Sequence, residues 1–233
     1  MKKKTGIFQI LLSLSIVCFL AGLTLGGVYK LTKDKIEKQQ AEEEIRALKE
    51  ILGSVKISKK KYLKTKDLKI EYWEAYKNGE IYAYAIKGKN HGYSSDIVFI
   101  VAVDKNGKIL GLKILSQNET PGLGTRITEV ASREYLFGSS KKSSKTEKPW
   151  FQKQFEGLNA LKEIIIKKSK EWQNMNENEK EKLKKENAIT ALTGATISSR
   201  AVSTGIEKYV KYFFENKEEL QNCSSKTGTI KKR

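Results

Sequence analysis

The strongest hydrophobic pattern in this 233-residue chain lies near its start. Residues 7–29 are almost entirely apolar and contain no charged side chain. As a helix this segment would be about 35 Å long, enough to cross a hydrocarbon core of about 30 Å. A cleaved signal peptide is the alternative, but its apolar region is shorter and ends at a small-residue cleavage site, for which this segment has no good match. The pattern therefore predicts a retained transmembrane helix.

Charged residues flank this apolar segment on both sides. Residues 1–6 form a short tail with Lys2, Lys3 and Lys4, and this tail favours a cytoplasmic N-terminus in the cell (inner) membrane. The main domain is then expected outside the cytoplasm, on a single-pass anchor. Residues 30–52 are highly charged but keep apolar positions at helical spacing, so they are predicted to form a helical linker to the domain.

The pattern after the linker is that of strands separated by turns. Asn78-Gly79 and the Asp-Lys-Asn-Gly sequence at 104–107 each lie between two strand-like segments, and this predicts two β-hairpins. Residues 97–101 are continuously apolar, as in a strand buried on both faces. The first hairpin also carries a group of aromatic residues that can stack on a flavin but more often forms core or sheet surface. These residues are Tyr72, Trp73, Tyr76, Tyr82 and Tyr84.

The second half of the chain predicts helices, a loop and one further strand. In order these are a helix over 128–137, a solvated loop over 138–148, a strand over 163–168, a charged, solvated insertion over 170–185 and a helix that ends near 216. Residues 217–233 are polar and are predicted to be disordered. The predicted fold class is α+β, with an N-terminal transmembrane helix and a domain of antiparallel hairpins and flanking helices over residues 53–216.

Composition excludes several functions. The chain has 45 Lys and Arg residues against 27 Asp and Glu, a formal charge of +18. This charge is spread along the chain without a nucleic-acid-binding motif, so nucleic acid is not an expected partner. The single histidine, His91, argues against a His-based metal site or catalytic triad, and neither a metal nor a catalytic residue is predicted. Glu119 is a candidate general base, but a loop carboxylate is more often solvated or capping.

A Thr-Gly-Ala-Thr sequence that ends at Thr196 is the first candidate site. Gly194 and Ala195 leave room for another molecule to approach the Thr196 hydroxyl. Ser198 or Ser199 is predicted to cap the following helix, whose free N–H groups and positive dipole end suit a phosphate. From these residues alone, an ordinary capped helix after a turn is the more common explanation.

Residues 119–124, which read Glu-Thr-Pro-Gly-Leu-Gly, are the second candidate site. The two glycines around Leu123, after a proline, allow a tight turn and a close approach of the backbone to a flat ligand. Such loops are frequent, so this stretch alone is a weak signal. Its value lies in its occurrence in the same chain as the Thr-Gly-Ala-Thr sequence.

Both stretches resemble motifs of the FMN-binding domain family, in the family's order. The sequence from Thr193 to Val202 resembles its flavinylation motif, and the Glu-Thr-Pro-Gly-Leu-Gly loop resembles another of its loops. The resemblance covers roughly residues 72–214. This chain departs from the pattern at one position, because it has Thr190 where the family usually has an acidic residue.

The resemblance implies that Thr196 carries FMN covalently, through a phosphoester bond made by a separate flavin transferase. It also implies that both stretches supply residues that bind the cofactor. These are Thr193, Gly194, Ala195, Ser198, Glu119, Thr120, Gly122, Leu123 and Gly124.

The family includes the G subunit of the Rnf complex and the C subunit of the sodium-translocating NADH:quinone reductase. The first implies an electron-carrying subunit that works with partner subunits, without independent catalysis, in coupling ferredoxin:NAD electron transfer to ion translocation. The second is a close alternative, since it shares the anchor, fold and motif. A third alternative, supported by Thr190, is an anchored binding module without a redox cofactor.

Overall fold

The structure is a computed structural model that describes residues 6–64, 68–130 and 148–227. The helix predicted over 128–137 and the loop predicted over 138–148 lie almost wholly outside these residues. The chain divides into two units, one that ends at Ile45 and one that begins at Arg46.

A single α-helix, α1, runs from Ile7 to Leu52, so the predicted transmembrane segment and linker are one continuous helix. Its most apolar part has a mean hydropathy of 2.2 and is not buried within the chain. Exposed apolar side chains from Phe8 to Leu31 cover this part of the helix. Its length and composition are sufficient for it to cross a membrane, and they fit a membrane-anchored protein.

The second unit contains an antiparallel sheet of six strands among the described residues. The strands are β1 (Lys56–Ile57), β2 (Lys61–Lys64), β3 (Lys69–Lys77), β4 (Glu80–His91), β5 (Asp96–Asp104) and β6 (Ile109–Ser116). Their order is β1-β3-β4-β5-β6, and β2 also pairs with β3. Both predicted hairpins are confirmed. In the first turn Asn78 and Gly79 have φ values of 54° and 86°, the backbone conformation that an Asn-Gly hairpin turn requires.

One face of the sheet packs against the long helix α4 (Thr196–Thr227). A Cβ atom at Gly88 would lie 2.7 Å from Cζ of Phe99 on β5 and 2.9 Å from Cγ of Tyr209 on α4, so this glycine is needed for the close packing between strand and helix. Asn90 then fixes the helix along β4, because its Nδ2 donates to the carbonyl of Ala201 at 2.8 Å. The start of α4 is thereby held near the end of β4.

The opposite face of the sheet packs against the last turns of α1 through small side chains. The buried residues on this face include Leu48, Leu52, Trp73, Ala75, Ala83, Ala85, Ile100 and Ala102. Strand β5 contributes to both faces, with Phe99 and Val101 on the α4 side and Ile100 on the α1 side. The prediction of a strand buried on both faces is confirmed.

The aromatic group of the first hairpin divides between the two faces, because successive side chains of a strand point to opposite sides. The rings of Tyr72 and Tyr84 lie 4.9 Å and 5.2 Å from the Phe213 ring of α4. Trp73 packs on the α1 side, and Tyr82 is exposed. These aromatic residues are core and sheet surface, the more common of the two roles predicted for them.

A second, parallel pair of strands joins β7 (Ile165–Lys167) and β8 (Ala188–Thr190). The strand predicted over 163–168 is confirmed in shorter form, whereas its parallel partner was not predicted. A short helix, α2 (Trp150–Lys153), precedes this pair and buries Phe151.

The charged run predicted as a solvated insertion instead contains packed elements. It forms a short 3₁₀ helix, Trp172–Asn174, and α3 (Glu177–Lys185). Asn176 accepts a hydrogen bond from the N–H of Glu179 at 2.8 Å and caps α3. Trp172 and Leu183 are buried, so two apolar side chains in the run bind it to the core.

Helix α4 differs from its prediction at both ends. It continues to Thr227, past the end predicted near residue 216 and into the segment predicted to be disordered. Lys and Glu are good helix formers, which favours this continuation. The ammonium group of Lys217 also lies 3.9 Å from the centre of the Tyr84 ring, which holds the helix against β4.

Candidate cofactor site

A cavity of about 570 Å³ lies where the two candidate stretches meet. Its lining consists of Tyr93, Thr120, Leu123, Gly124, Gly194, Ala195, Thr196, Ile197 and Ser198. Seven of these nine residues were predicted from sequence as cofactor-binding; Tyr93 and Ile197 were not. Three other predicted residues do not line the cavity. Glu119 lies beneath the lining and Gly122 forms a turn beside it. Thr193 directly precedes the lining residue Gly194 in the sequence. None of the five aromatic residues of the first hairpin lines this cavity.

Thr196 is the first residue of α4 and is half-buried at the cavity wall. Within the described part of the chain its hydroxyl makes no hydrogen bond. Gly194 precedes it with a φ of 78°, and a Cβ atom there would lie 2.9 Å from Cδ2 of Leu123. A glycine is therefore needed for the two stretches to approach each other beside this hydroxyl.

The prediction that Ser198 or Ser199 caps α4 is wrong, because the helix begins before them, at Thr196. The Ser199 hydroxyl donates to the Ala195 carbonyl and accepts from the N–H of Leu192, each at 3.0 Å. The Ser198 hydroxyl donates to the carboxylate of Glu119. Both hydroxyls connect the helix to neighbouring segments, whereas the Thr196 hydroxyl bonds to none of the residues that the structure describes.

Glu119 joins three separate segments beneath the cavity. Its side chain is only 4% exposed. It accepts hydrogen bonds from the N–H groups of Tyr93 and Ser94 at 3.0 Å and of Ser95 at 3.2 Å, besides the bond from Ser198. The loop after β4, the 119–124 loop and the first turn of α4 are therefore held by one carboxylate.

Burial alone would raise the pKa of the Glu119 carboxyl, but the hydrogen bonds from Ser198 and from the loop N–H groups outweigh burial, so its pKa lies below the usual value. A carboxylate with this many donors is a poor proton acceptor. Glu119 is thus not solvated, and it accepts loop N–H groups as a capping carboxylate does. It is a buried anchor for the cavity.

Two glycines leave room for this carboxylate. A Cβ atom at Gly92 would lie 2.5 Å from Oε1 of Glu119. At Gly124 it would lie 2.6 Å from Cβ of Glu119 and 2.7 Å from Oγ of Ser198. Any other residue at either position would displace the carboxylate from its donors.

An ion pair that the sequence analysis missed connects two segments next to the cavity lining. The guanidinium of Arg126 binds the carboxylate of Glu171 through two hydrogen bonds of 2.8 Å. The same carboxylate accepts the N–H of Thr193 at 3.3 Å. Glu171 was missed because it lies in the run of Lys, Glu and Asn residues, where one more acidic residue carries no signal.

Tyr93 was missed for a different reason. It is 67% exposed at the cavity, and its position was indicated only by the glycine and serines around it, at Gly92, Ser94 and Ser95. The signal available in the sequence was an aromatic residue within a short loop of small residues, a pattern that can indicate a ligand contact.

Thr190, the position that departs from the family pattern, does not face the cavity. It is fully buried at the end of β8, and its N–H and hydroxyl donate to Oε1 of Gln154 at 2.8 Å and 3.0 Å. Gln154 is itself buried. Thr190 therefore supplies the hydrogen-bond donors for the buried side-chain oxygen of Gln154.

The residues at the cavity fit FMN. The N-terminus of α4 supplies backbone N–H groups and a positive dipole end for a phosphate, beside the available hydroxyl of Thr196. Leu123 and Ile197, which are 44% and 55% exposed, add apolar surface next to Tyr93 for a flat ring. The site thus combines a phosphate-binding end with an apolar end.

This fold and site define a flavin-binding domain that follows an apolar N-terminal helix. Residues 92–211 match the FMN-binding domain family, and residues 12–51 match the RnfG N-terminal region. The first match covers just over half of the chain, and the chain belongs to the FMN-binding domain family.

Three similar proteins agree with this assignment. The G subunit of the proton-translocating ferredoxin:NAD(+) oxidoreductase complex of Clostridium ljungdahlii is 28% identical over 90% of this chain and 93% of its own length. The G subunit of the ion-translocating oxidoreductase complex of Vibrio parahaemolyticus is 31% identical over 63% of this chain, which spans about half (56%) of that relative. The solved C subunit of the Na(+)-translocating NADH-quinone reductase of Parabacteroides distasonis shares the fold, with a TM-score of 0.50 and 16% identity over 77% of this chain and 94% of that one.

Proposed function

We propose that this chain is the membrane-anchored flavoprotein subunit of an Rnf-type complex, which couples electron transfer between ferredoxin and NAD to ion translocation. The observation that carries the proposal is the available hydroxyl of Thr196, at the N-terminus of α4 and beside the cavity. The names of the relatives in Clostridium and Vibrio support the Rnf-type assignment.

The proposal assigns Thr196 as the attachment point of FMN. A flavin transferase would form a bond between the threonine oxygen and the FMN phosphorus, as the hydroxyl loses its proton and the activated flavin nucleotide loses its leaving group. The backbone N–H groups of the first turn of α4 would hold the phosphate oxygens. FMN supplies reversible one- and two-electron chemistry when bound, and the chain orients it and limits its access to water.

The fold is shared with the C subunit of the Na(+)-translocating NADH-quinone reductase, so a protein of that kind remains the alternative. The structural likeness, at 16% identity, concerns the fold alone. The match of residues 12–51 to the RnfG N-terminal region favours the Rnf-type assignment.

We also propose the orientation of the chain in the membrane. Lys2, Lys3 and Lys4 before the apolar segment support a cytoplasmic N-terminus, with the sheet domain on the other side. In spheroplasts of the expressing cells, external protease is expected to digest the sheet domain without cell lysis. Protection of this domain until lysis would reverse the orientation.

Covalent attachment is tested with the full chain expressed together with a flavin transferase. A denaturing gel is expected to show a band with yellow flavin fluorescence, and the peptide that contains Thr196 is expected to carry the added mass of FMN. Thr196→Val should remove both signals while the fold is retained. The matched control is Thr204→Val on the same helix, an exposed threonine outside the cavity.

The role in electron transfer is tested in membranes that contain the whole complex. Membranes with Thr196→Val should lose ferredoxin-dependent NAD reduction and the ion movement coupled to it, whereas membranes with Thr204→Val should keep both. Retention of both activities by the Thr196 variant would exclude this threonine as the site of the electron carrier.

A further inference from the structure

Glu171 lies outside both candidate stretches but contacts Thr193 in one of them and Arg126, two residues beyond the other. Its carboxylate is 11% exposed and binds Arg126, which lies in the 3₁₀ helix Gly124–Thr128 at the end of the 119–124 loop. It also accepts the N–H of Thr193, the first residue of the Thr-Gly-Ala-Thr sequence. One carboxylate therefore connects the Thr-Gly-Ala-Thr sequence to the segment that follows the 119–124 loop.

The parallel pair of strands explains why Glu171 reaches this position. Lys167, the last residue of β7, pairs with Thr190, the last residue of β8. Parallel strands leave their sheet at the same end. The segment that carries Glu171 and the segment that carries Thr193 consequently emerge side by side.

The environment of Glu171 favours its ionised, fixed form. The hydrogen bonds from Arg126 lower the pKa of its carboxyl, as do the contacts with Thr193, against the effect of burial. Arg126 is held in turn by Glu129, whose Oε2 accepts from Nε at 3.0 Å, and lies over the Trp150 ring at 5.7 Å. The acceptor presented to Thr193 is thus held on a rigid, charge-paired support.

We propose that Glu171 is a positioning residue for the flavin attachment site. By accepting the N–H of Thr193, it fixes the turn through Gly194 that presents the Thr196 hydroxyl to the cavity. This inference rests on the proposed function, since it concerns how the same hydroxyl is presented to a flavin transferase. It assigns a role to a segment that neither motif contains.

Substitutions can separate this positioning role from simple stabilisation by the ion pair. Glu171→Gln keeps an acceptor oxygen for Thr193 but loses the charge. The exchange Arg126→Glu with Glu171→Arg restores a pair of opposite charges but leaves Thr193 facing a guanidinium, which has no acceptor. Glu129→Gln is the matched control, because it removes another carboxylate partner of Arg126 without a contact to Thr193.

The experiment measures how fast a flavin transferase labels the full chain in detergent, at several chain concentrations, together with the melting temperature of the unlabelled chain. The expected labelling rate is within about threefold of wild type for Glu171→Gln and Glu129→Gln, and at least about tenfold lower for the exchanged pair, because a small displacement of the reacting group has a large effect on rate. The loss is expected in kcat and not in KM. The transferase still binds the same chain, and only the reacting hydroxyl is displaced. Labelling of the exchanged pair at the wild-type rate would overturn the proposal.

A second measurement is independent of the flavin. Amide hydrogen exchange at Thr193 is expected to be about fivefold faster in Glu171→Ala than in Glu171→Gln, because only the glutamine keeps the acceptor. Equal protection of the Thr193 amide in the two variants would overturn the positioning role. This measurement does not depend on whether the exchanged pair folds. Absence of flavin from the wild-type chain would contradict the proposed function, and the exchange measurement would still decide the role of Glu171.

Discussion

Glu119 beneath the cavity and Glu74 on β3 are both buried carboxylates whose hydrogen bonds outweigh burial and lower their pKa. Their partners differ in kind. Glu119 binds backbone N–H groups and a serine hydroxyl from segments up to 79 positions away. Glu74 binds Nζ of Lys61 at 2.8 Å, on the neighbouring strand, and the hydroxyl of Tyr76 on its own strand.

The difference shows what makes a buried carboxylate part of a site. Backbone donors can be supplied only if the loops themselves take one conformation, so Glu119 and the loops determine each other. The partners of Glu74 are side chains on strands that the sheet already fixes, and Lys61 is 44% exposed. Replacing Glu119 should therefore disturb the cavity. Replacing Glu74 should lower only the local stability of the sheet.

The largest expected effect comes from filling the space beside Glu119. Gly124→Ala places a methyl group 2.6 Å from Cβ of Glu119, so the carboxylate must move away from its donors. We expect the free energy of unfolding to fall by about 3 kcal/mol and flavin labelling to fall at least about tenfold.

Chemical unfolding and in-gel fluorescence of the full chain in detergent measure the two effects. Gly122→Ala is the control, since a Cβ atom there meets nothing within 4 Å and only its φ of 72° is strained. Equal effects of both substitutions would show that strain in the backbone, not the position of Glu119, decides the outcome.

Removing each carboxylate tests the comparison directly. Glu119→Ala leaves buried N–H groups without an acceptor and should lower the free energy of unfolding by about 2–3 kcal/mol, with a loss of labelling. Glu74→Ala should lower it by about 1 kcal/mol, because its partners remain partly hydrated, and labelling should be unchanged. If Glu74→Ala also abolished labelling, the distinction between the two regions would be wrong.

Acid should weaken the fold through both groups. A carboxyl whose pKa is lowered in the folded chain stabilises it above the unfolded value of about 4.5, and this contribution is lost as the pH falls through the lower, folded pKa. The free energy of unfolding should thus decrease below about pH 4.5. Urea titrations between about pH 6 and pH 3 should show a smaller decrease in Glu119→Gln than in wild type; identical curves would contradict the assigned role.

The smallest effect is expected at Tyr76. Tyr76→Phe removes one of the donors to Glu74 and leaves Lys61 in place. The free energy of unfolding should fall less than in Glu74→Ala, since the remaining carboxylate is still paired. Thermal melting of the two chains side by side is the measurement, and a larger loss would show that Glu74 depends on the tyrosine more than on the lysine.

Local signals in the sequence were sufficient for much of this structure. Asn78-Gly79 and the 104–107 turn indicated the hairpins, and the apolar run 97–101 indicated the central strand. The glycines at 124 and 194 marked the walls of the cavity. In each case the reason is local, because a turn, a strand or a close approach restricts the residue types at that point.

The features that sequence did not indicate depend on contacts between distant segments. Glu119 was not recognised as buried, because its donors lie in another loop at 93–95. Glu171 gained its role only from the parallel pairing of β7 with β8, which no periodicity in three-residue strands can indicate. The start of α4 was placed too late, because serine is a common N-cap residue. The serines at 198 and 199 instead bond to other partners.

The hydrogen bond between Ser198 and Glu119 spans 79 positions along the chain. A segment still emerging from the ribosome, or one threaded unfolded across a membrane, cannot contain this bond. If the transferase requires the turn in its native geometry, loading with cofactor must come after folding. Fluorescence of the mature band would then report how many copies have reached their native state, and copies that misfold would stay colourless.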